Sequence, residues 1–247
     1  MPESRIGAIL AIADKIDTIC GCFSAGLIPT GAADPYALRR QSIGVLQIIR
    51  KFNFAFKLCE LVQTSLSAFE GADKDVNTKV MDFLQARFQR ILEEDGYAKD
   101  IVAAVLGANF NDLVDAELRV KALAEFKTRH YFEALAATFK RVVNILRKAE
   151  IKDVLPVNDA LPKDEAEQQL WEAVSAVKLD VEKAMQKQNY EAVLLAIAGI
   201  RTTVDTFFED VMVMAEDEAI RNNRLALLSQ VGGLFRNVAD FSKILTQ

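Results

Sequence analysis

The side chains able to do chemistry are few, and their spacing limits what that chemistry can be. The chain holds a single histidine, His130. A Ser-His-Asp set, or a metal site built on histidines, has at most that one imidazole to draw on. Cys20-Gly21-Cys22 could ligate a metal in principle, but no second cysteine pair stands at zinc-finger spacing. Inert thiols fit the odd total better, and with it a reducing, cytoplasmic setting. Asp14 and Asp17, three apart on a helix, share a side and could hold a cation or simply edge the helix toward water. Neither a Walker loop nor a GxGxxG run occurs. Catalysis by this chain alone is therefore not expected, nor is a cofactor or metal within it.

Binding is better supplied. Arg119, Lys121, Lys127, Arg129, His130 and Tyr131 crowd one helix and the turn after it, and Lys140, Arg141, Asn144, Arg147 and Lys148 follow along the next. Arg221, Asn223 and Arg224 stand at a second junction, just after the acidic step Glu216-Asp217-Glu218. Cations, an accessible aromatic and amide side chains are what loop RNA requires: charge for phosphates, a flat face for stacking, forked donors for base edges. The ordinary alternative is a set of helix-surface ion pairs, with Arg221 and Arg224 answering the neighbouring acids across one turn. The net charge of −5 argues against a generally basic nucleic-acid binder. The distribution is uneven, however. Residues 117–148 hold eight Lys/Arg against three Glu, whereas 151–187 hold eight Asp/Glu against five Lys. The RNA reading thus requires distant cations to meet on one accessible face.

Helices must position these residues. The composition is 51% hydrophobic with only 11 Gly and 5 Pro, and no segment alternates with period two for long. The fold class is all-α. No apolar run reaches the roughly 20 residues that a membrane span needs, and no signal-peptide pattern opens the chain.

In order, residues 3–23 form a helix striped by Ile9, Ile12, Ala13, Ile16, Ile19, Cys20 and Phe23. Its abrupt start suits a piece of a longer domain. Asp34 caps a second helix with Pro35 at its first position. A third helical piece spans 54–69, where Phe54, Phe56 and Leu61 could support self-association. The polar stretch 71–78 is the expected linker between a first domain, 1–70, and a second, 79–247. Helices are then expected at 79–94, 100–106, from Asn111 or Asp112 to 126, and at 131–148. A proline-bearing connector at 151–163 leads to an antiparallel pair, 164–186 and 189–214. Val204, Phe207, Phe208, Val211, Met214 and Ala215 make one continuous helical face. Asp217 caps the last helix, in which Gly232-Gly233 implies close approach of a neighbour.

Three stretches together resemble a known family. Residues 11–40 (AIADKIDTICGCFSAGLIPTGAADPYALRR) are similar to the end of the HD-like helical domain of the β subunit of bacterial heterotetrameric glycyl-tRNA synthetase. Residues 111–126 (NDLVDAELRVKALAEF) continued by 139–148 (FKRVVNILRK), and residues 207–228 (FFEDVMVMAEDEAIRNNRLALL), resemble that subunit's DALR-type anticodon-binding domain. The resemblance implies a helical anticodon-binding bundle after a short remnant of the HD-like domain. It further implies recognition of tRNA(Gly), assembly with an α subunit as α2β2, and glycine–tRNA ligase activity whose ATP and Mg reside on that α subunit. The cytoplasm is the implied location and no membrane is involved. The implied RNA-binding set is Arg119, Lys121, Arg129, His130, Lys140, Arg141, Asn144, Arg221, Asn223 and Arg224. Two departures stand out: the His-Asp pair of the HD fold is missing, and Phe139 stands where the family often has Asn. A subunit-docking scaffold without RNA contact, and a metal-dependent phosphohydrolase remnant at Asp14 and Asp17, are the alternatives.

Overall fold

The computed structural model describes residues 1–69, 75–161 and 164–245. Its chain packs into two compact units, Met1–Val102 with Asn109–Glu117, and Ala103–Ala108 with Leu118–Gln247. Among the described residues the regular structure is helical, apart from an isolated bridge between Thr30 and Ala33. No described helix is long and apolar enough to cross a membrane.

The first unit is built on α1 (Arg5–Ser24), α2 (Leu38–Phe52), α3 (Leu58–Leu66) and α4 (Val76–Glu94). Ser4 Oγ accepts the Gly7 N–H at 3.1 Å and starts α1. Its buried stripe is Ala8, Ile12, Ile16, Ile19, Cys20 and Phe23, against α2, α3 and α4. Ile9 and Ala13, expected inside, are exposed, together with Ile6 and Leu10. Phe54 is also placed opposite to expectation: it is buried, stacked between Phe52 and Phe56 at 5.6 and 5.0 Å, with the Arg5 guanidinium 4.7 Å over its ring.

Pro35 does not open α2. The helix begins at Leu38, after Ala37 in the left-handed region at φ 53°, a conformation that costs an alanine about 1 kcal/mol. Asp34 offsets this by reaching forward, its two carboxylate oxygens accepting the Leu38 and Arg39 N–H groups at 2.8 and 3.0 Å. Asn111 caps α3 from a distance, its side-chain oxygen accepting the Cys59 N–H at 2.9 Å, and Asp112 caps the helix that follows it, accepting from Asp115 at 3.0 Å. Arg50 ties the unit together with a bidentate grip on Glu117 (2.8 and 2.6 Å) and a 2.7 Å contact to Asp95. The hydrogen bonds to Glu117 hold its guanidinium protonated well above the usual range.

The linker expected at 71–78 does not divide the two units. Residues 70–74 lie outside the described residues, and Val76, Val80, Phe83, Leu84 and Phe88 are buried in α4, which packs on α1, α2 and α3. A polar stretch marks a boundary only where the next helix lacks an apolar face for the preceding ones, and α4 has one. The division falls instead inside α5 (Lys99–Ala108) and α6 (Leu113–Lys127).

Burial pushes the Cys20 thiol up, and burial followed by the charge of Asp34 does the same at Cys22. A raised folded-state pKa means less thiolate and a stability contribution present at neutral pH, lost as pH climbs through the alkaline range. Native protein at pH 8 is therefore expected to leave Cys20 unalkylated by iodoacetamide, with modification appearing in urea. Rapid native alkylation of Cys20, read by peptide mass, would contradict this packing.

The second unit gathers α7 (Phe132–Lys148), α8 (Glu165–Gln186), α9 (Tyr190–Gly199), α10 (Arg201–Asp210), α11 (Glu218–Phe235) and a closing 3-10 turn, Phe241–Lys243. Its aromatic centre is Phe139, Phe235 and Phe241, with ring centroids 4.9 to 5.7 Å apart. Asp217 caps α11 as expected, accepting the Ile220 N–H at 3.0 Å. The glycine pair behaves as expected too. A methyl group at Gly232 would stand 2.9 Å from Leu146 Cδ1, and one at Gly233 2.8 Å from Val154 Cγ2.

The single helix expected over 189–214 is broken at Ile200 and ends at Asp210. Val211 is extended (φ −117°, ψ 123°), and Val211, Met212, Val213 and Met214 then alternate buried, exposed, buried, exposed. Val211 lies inward under either backbone, so helical spacing could not reveal the change, whereas two β-branched residues with period two favour extension. The connector 151–161 is irregular and is tied to α11 by hydrogen bonds. Ser229 Oγ accepts the Leu155 N–H at 2.8 Å, Gln230 donates to the Leu155 carbonyl at 2.6 Å, and Asn223 Oδ1 accepts the Asn158 N–H at 2.7 Å.

Candidate nucleic-acid interface

All ten predicted contact residues fall in the second unit, but they do not make one patch. Three are structural. Arg119 is 1% exposed and donates to the Val105 and Val238 carbonyls, both at 3.3 Å. Asn223 is buried, its amide group closed on the Asn158 backbone. Arg224, its side chain 11% exposed, grips Glu167 through Nε (3.0 Å) and Nη2 (3.2 Å), Asp164 at 2.7 Å and the Met212 carbonyl at 2.9 Å. Glu167 is 3% exposed and also accepts the Asp164 N–H at 2.8 Å. The partner of Arg224 is thus a buried carboxylate 57 residues earlier, not the acidic step beside it. Each of these groups is largely desolvated among its own partners, which leaves it closed to a ligand at the surface.

Two more are engaged at the surface. Arg129 pairs with Glu191 at 2.9 Å, and Arg221 donates to the Ala215 carbonyl at 3.1 Å, shaping the turn before α11. Lys121 and His130 are exposed, and His130 meets Tyr131 edge-on at 5.1 Å.

The remaining three converge. Ala137, Lys140, Arg141, Asn144, Ile145 and Lys148 line one open groove along α7. Their spacing of i, i+3, i+4, i+7, i+8, i+11 is a single helical stripe. The opposite stripe, Leu135, Phe139, Val142 and Leu146, is buried. Phe139 is therefore a core residue, and the amide-bearing position is Asn144, one turn on. The Arg141 guanidinium lies 4.0 Å over the Phe208 ring while the residue stays exposed, which fixes its plane without using its donors. Lys140 reaches the Ile244 carbonyl at 3.3 Å, and Asn144 Oδ1 accepts from Arg147 at 2.8 Å. Lys148, absent from the predicted set although it continues the same periodicity, completes the stripe. Two lysines, an amide and a guanidinium held over an aromatic ring can take phosphates and a base or ribose edge together.

Asp14 and Asp17 do not join a metal-binding group, since among the described residues no three His, Cys, Asp or Glu side chains are placed to hold an ion.

Comparison with known proteins adds two findings. Residues 1–107 match the family model described as glycyl-tRNA synthetase beta subunit, and residues 135–244 match the DALR anticodon binding domain. Similar curated proteins include the glycine–tRNA ligase beta subunits of Geotalea uraniireducens, 48% identical over 248 residues, and of Desulforapulum autotrophicum, 47% identical over 247. Each alignment covers 99% of this chain and 36% of the relative. The chain thus spans about a third of the length of the relatives it matches.

Proposed function

We propose that this chain, whose residues 1–107 match the glycyl-tRNA synthetase beta subunit model and whose residues 135–244 match the DALR anticodon binding domain, is the tRNA-recognition portion of a glycine–tRNA ligase. It holds the anticodon region of tRNA(Gly) through α7. The adenylation of glycine and its transfer take place on a separate α subunit, which carries ATP and Mg, in an α2β2 assembly in the cytoplasm. The observation supporting RNA contact is the Lys140, Arg141, Asn144 and Lys148 stripe, exposed or half-buried on one side of a helix whose other side is core.

Fluorescence anisotropy with labelled tRNA(Gly) tests this reading. Binding should weaken with salt by about 0.7 log unit per phosphate contact per log unit of salt. It should also weaken when the anticodon is exchanged. Equal affinity for the exchanged tRNA would remove the anticodon assignment.

A second reading applies to the first unit, where Ile6, Ile9 and Leu10 expose an apolar stretch of α1. A docking surface for another subunit would look like this. Light scattering of a mixture with the α subunit distinguishes assembly from RNA binding alone.

A further inference from the structure

The first unit contains two arginines that the reading above leaves unused. Arg39 on α2 and Arg87 on α4 line one groove with Arg90, Gln47 and Glu94, of about 550 Å³, within the range of small-ligand sites of roughly 300–1,000 Å³. Both are half-buried. Their nearby carboxylates bond to other groups. Asp34 spends both oxygens on the Leu38 and Arg39 backbone N–H groups, and Glu94 pairs with Arg90 at 2.9 Å.

Arg87 makes one hydrogen bond, from Nη1 to the Phe83 carbonyl at 3.0 Å, and its guanidinium lies over the Phe83 ring, 3.7 Å from the centroid. The ring contact holds the guanidinium of a residue that lines the groove, and its other N–H groups have no protein acceptor among the described residues. Burial, followed by the like charge of Arg39, makes the Arg87 cation harder to keep, with Asp34 opposing. Two guanidiniums thus line one groove, and no carboxylate makes an ion pair with either among the described residues. Half-buried cations arranged this way are stabilised by an anion that both can hold, and two planar forks match a tetrahedral oxyanion.

We propose that the α2–α4 groove is a phosphate-binding site, with Arg39 and Arg87 as its two clamps. The phosphate belongs either to an RNA backbone or to a small free anion, and the site shares no residue with the α7 stripe, so variants of the two fail independently.

The test follows the arginine Nε–Hε signals of the full ¹⁵N-labelled chain by NMR. Inorganic phosphate should shift the Arg39 and Arg87 signals saturably in the millimolar range. Arg39→Gln should weaken that binding about tenfold, as loss of a charge-assisted fork does. The same substitution should leave the melting temperature unchanged or raise it, because Arg39 has no side-chain partner in the unit and repels Arg87. Saturation by tRNA(Gly) at far lower concentration would assign the phosphate to RNA, and saturation by phosphate alone would assign it to a free anion. Absence of any saturable shift with either ligand would overturn the site. So would a clear loss of stability in Arg39→Gln, since that would make the residue part of the fold.

Discussion

Arg224→Ala is expected to lower the unfolding free energy by about 3–5 kcal/mol, the cost of leaving a buried carboxylate without its counter-charge. Glu167 is 3% exposed and would lose two of its three donors at once, while the Met212 carbonyl would lose its own. For a domain of this size that corresponds to a melting temperature lower by about 10 °C, read by circular dichroism. Arg224→Lys should recover little, because a point charge cannot span Glu167, Asp164 and Met212 together. Combining Arg224→Met with Glu167→Leu should recover most of the loss, since removing both charges removes the penalty. An Arg224→Ala protein that melted like the parent would refute the clamp. The same residue counted as an RNA contact on sequence grounds, so the reason for any weakened tRNA binding in this variant would be loss of fold.

Replacing Lys140, Arg141 and Lys148 together with alanine should weaken tRNA(Gly) binding by about 100-fold near ~0.1 M salt. That follows from roughly fivefold per phosphate contact at the single-strand salt dependence. The slope of log affinity against log salt should fall by about 2. Stability should change little, because Lys148 is exposed and the Arg141–Phe208 contact is worth only about 0.5–1 kcal/mol at such a site. Lys121→Ala, exposed but outside the groove, should bind like the parent. A triple variant with unaltered affinity and slope would show that α7 does not face RNA.

Much of the local structure is legible in the chain itself. The Asp217 cap, the long apolar stripes of α1 and α7 and the close approach at Gly232-Gly233 each follow from side chains acting within one turn or one periodic face. Short-range chemistry of that kind leaves a pattern in neighbouring letters. The end of α10 did not, because Val211 sits inward in both a helix and an extended segment. The unit boundary was equally hidden, since a polar stretch at 70–78 reports nothing about which side the stripe of α4 will cover.

The candidate site divides the same way. The sequence by itself determined that α7 carries cations at a helical repeat, since 3.6 residues per turn puts 140, 141, 144 and 148 on one side whatever surrounds them. Only the tertiary structure decided which arginines remain available. Arg119, Arg141 and Arg224 are the same residue type on similar helices, yet one is sealed against backbone carbonyls, one is spread on an exposed ring, and one is locked to a carboxylate 57 residues away. A guanidinium's role is set by the acceptors within about 3 Å of it, and those come from parts of the chain that only folding brings near.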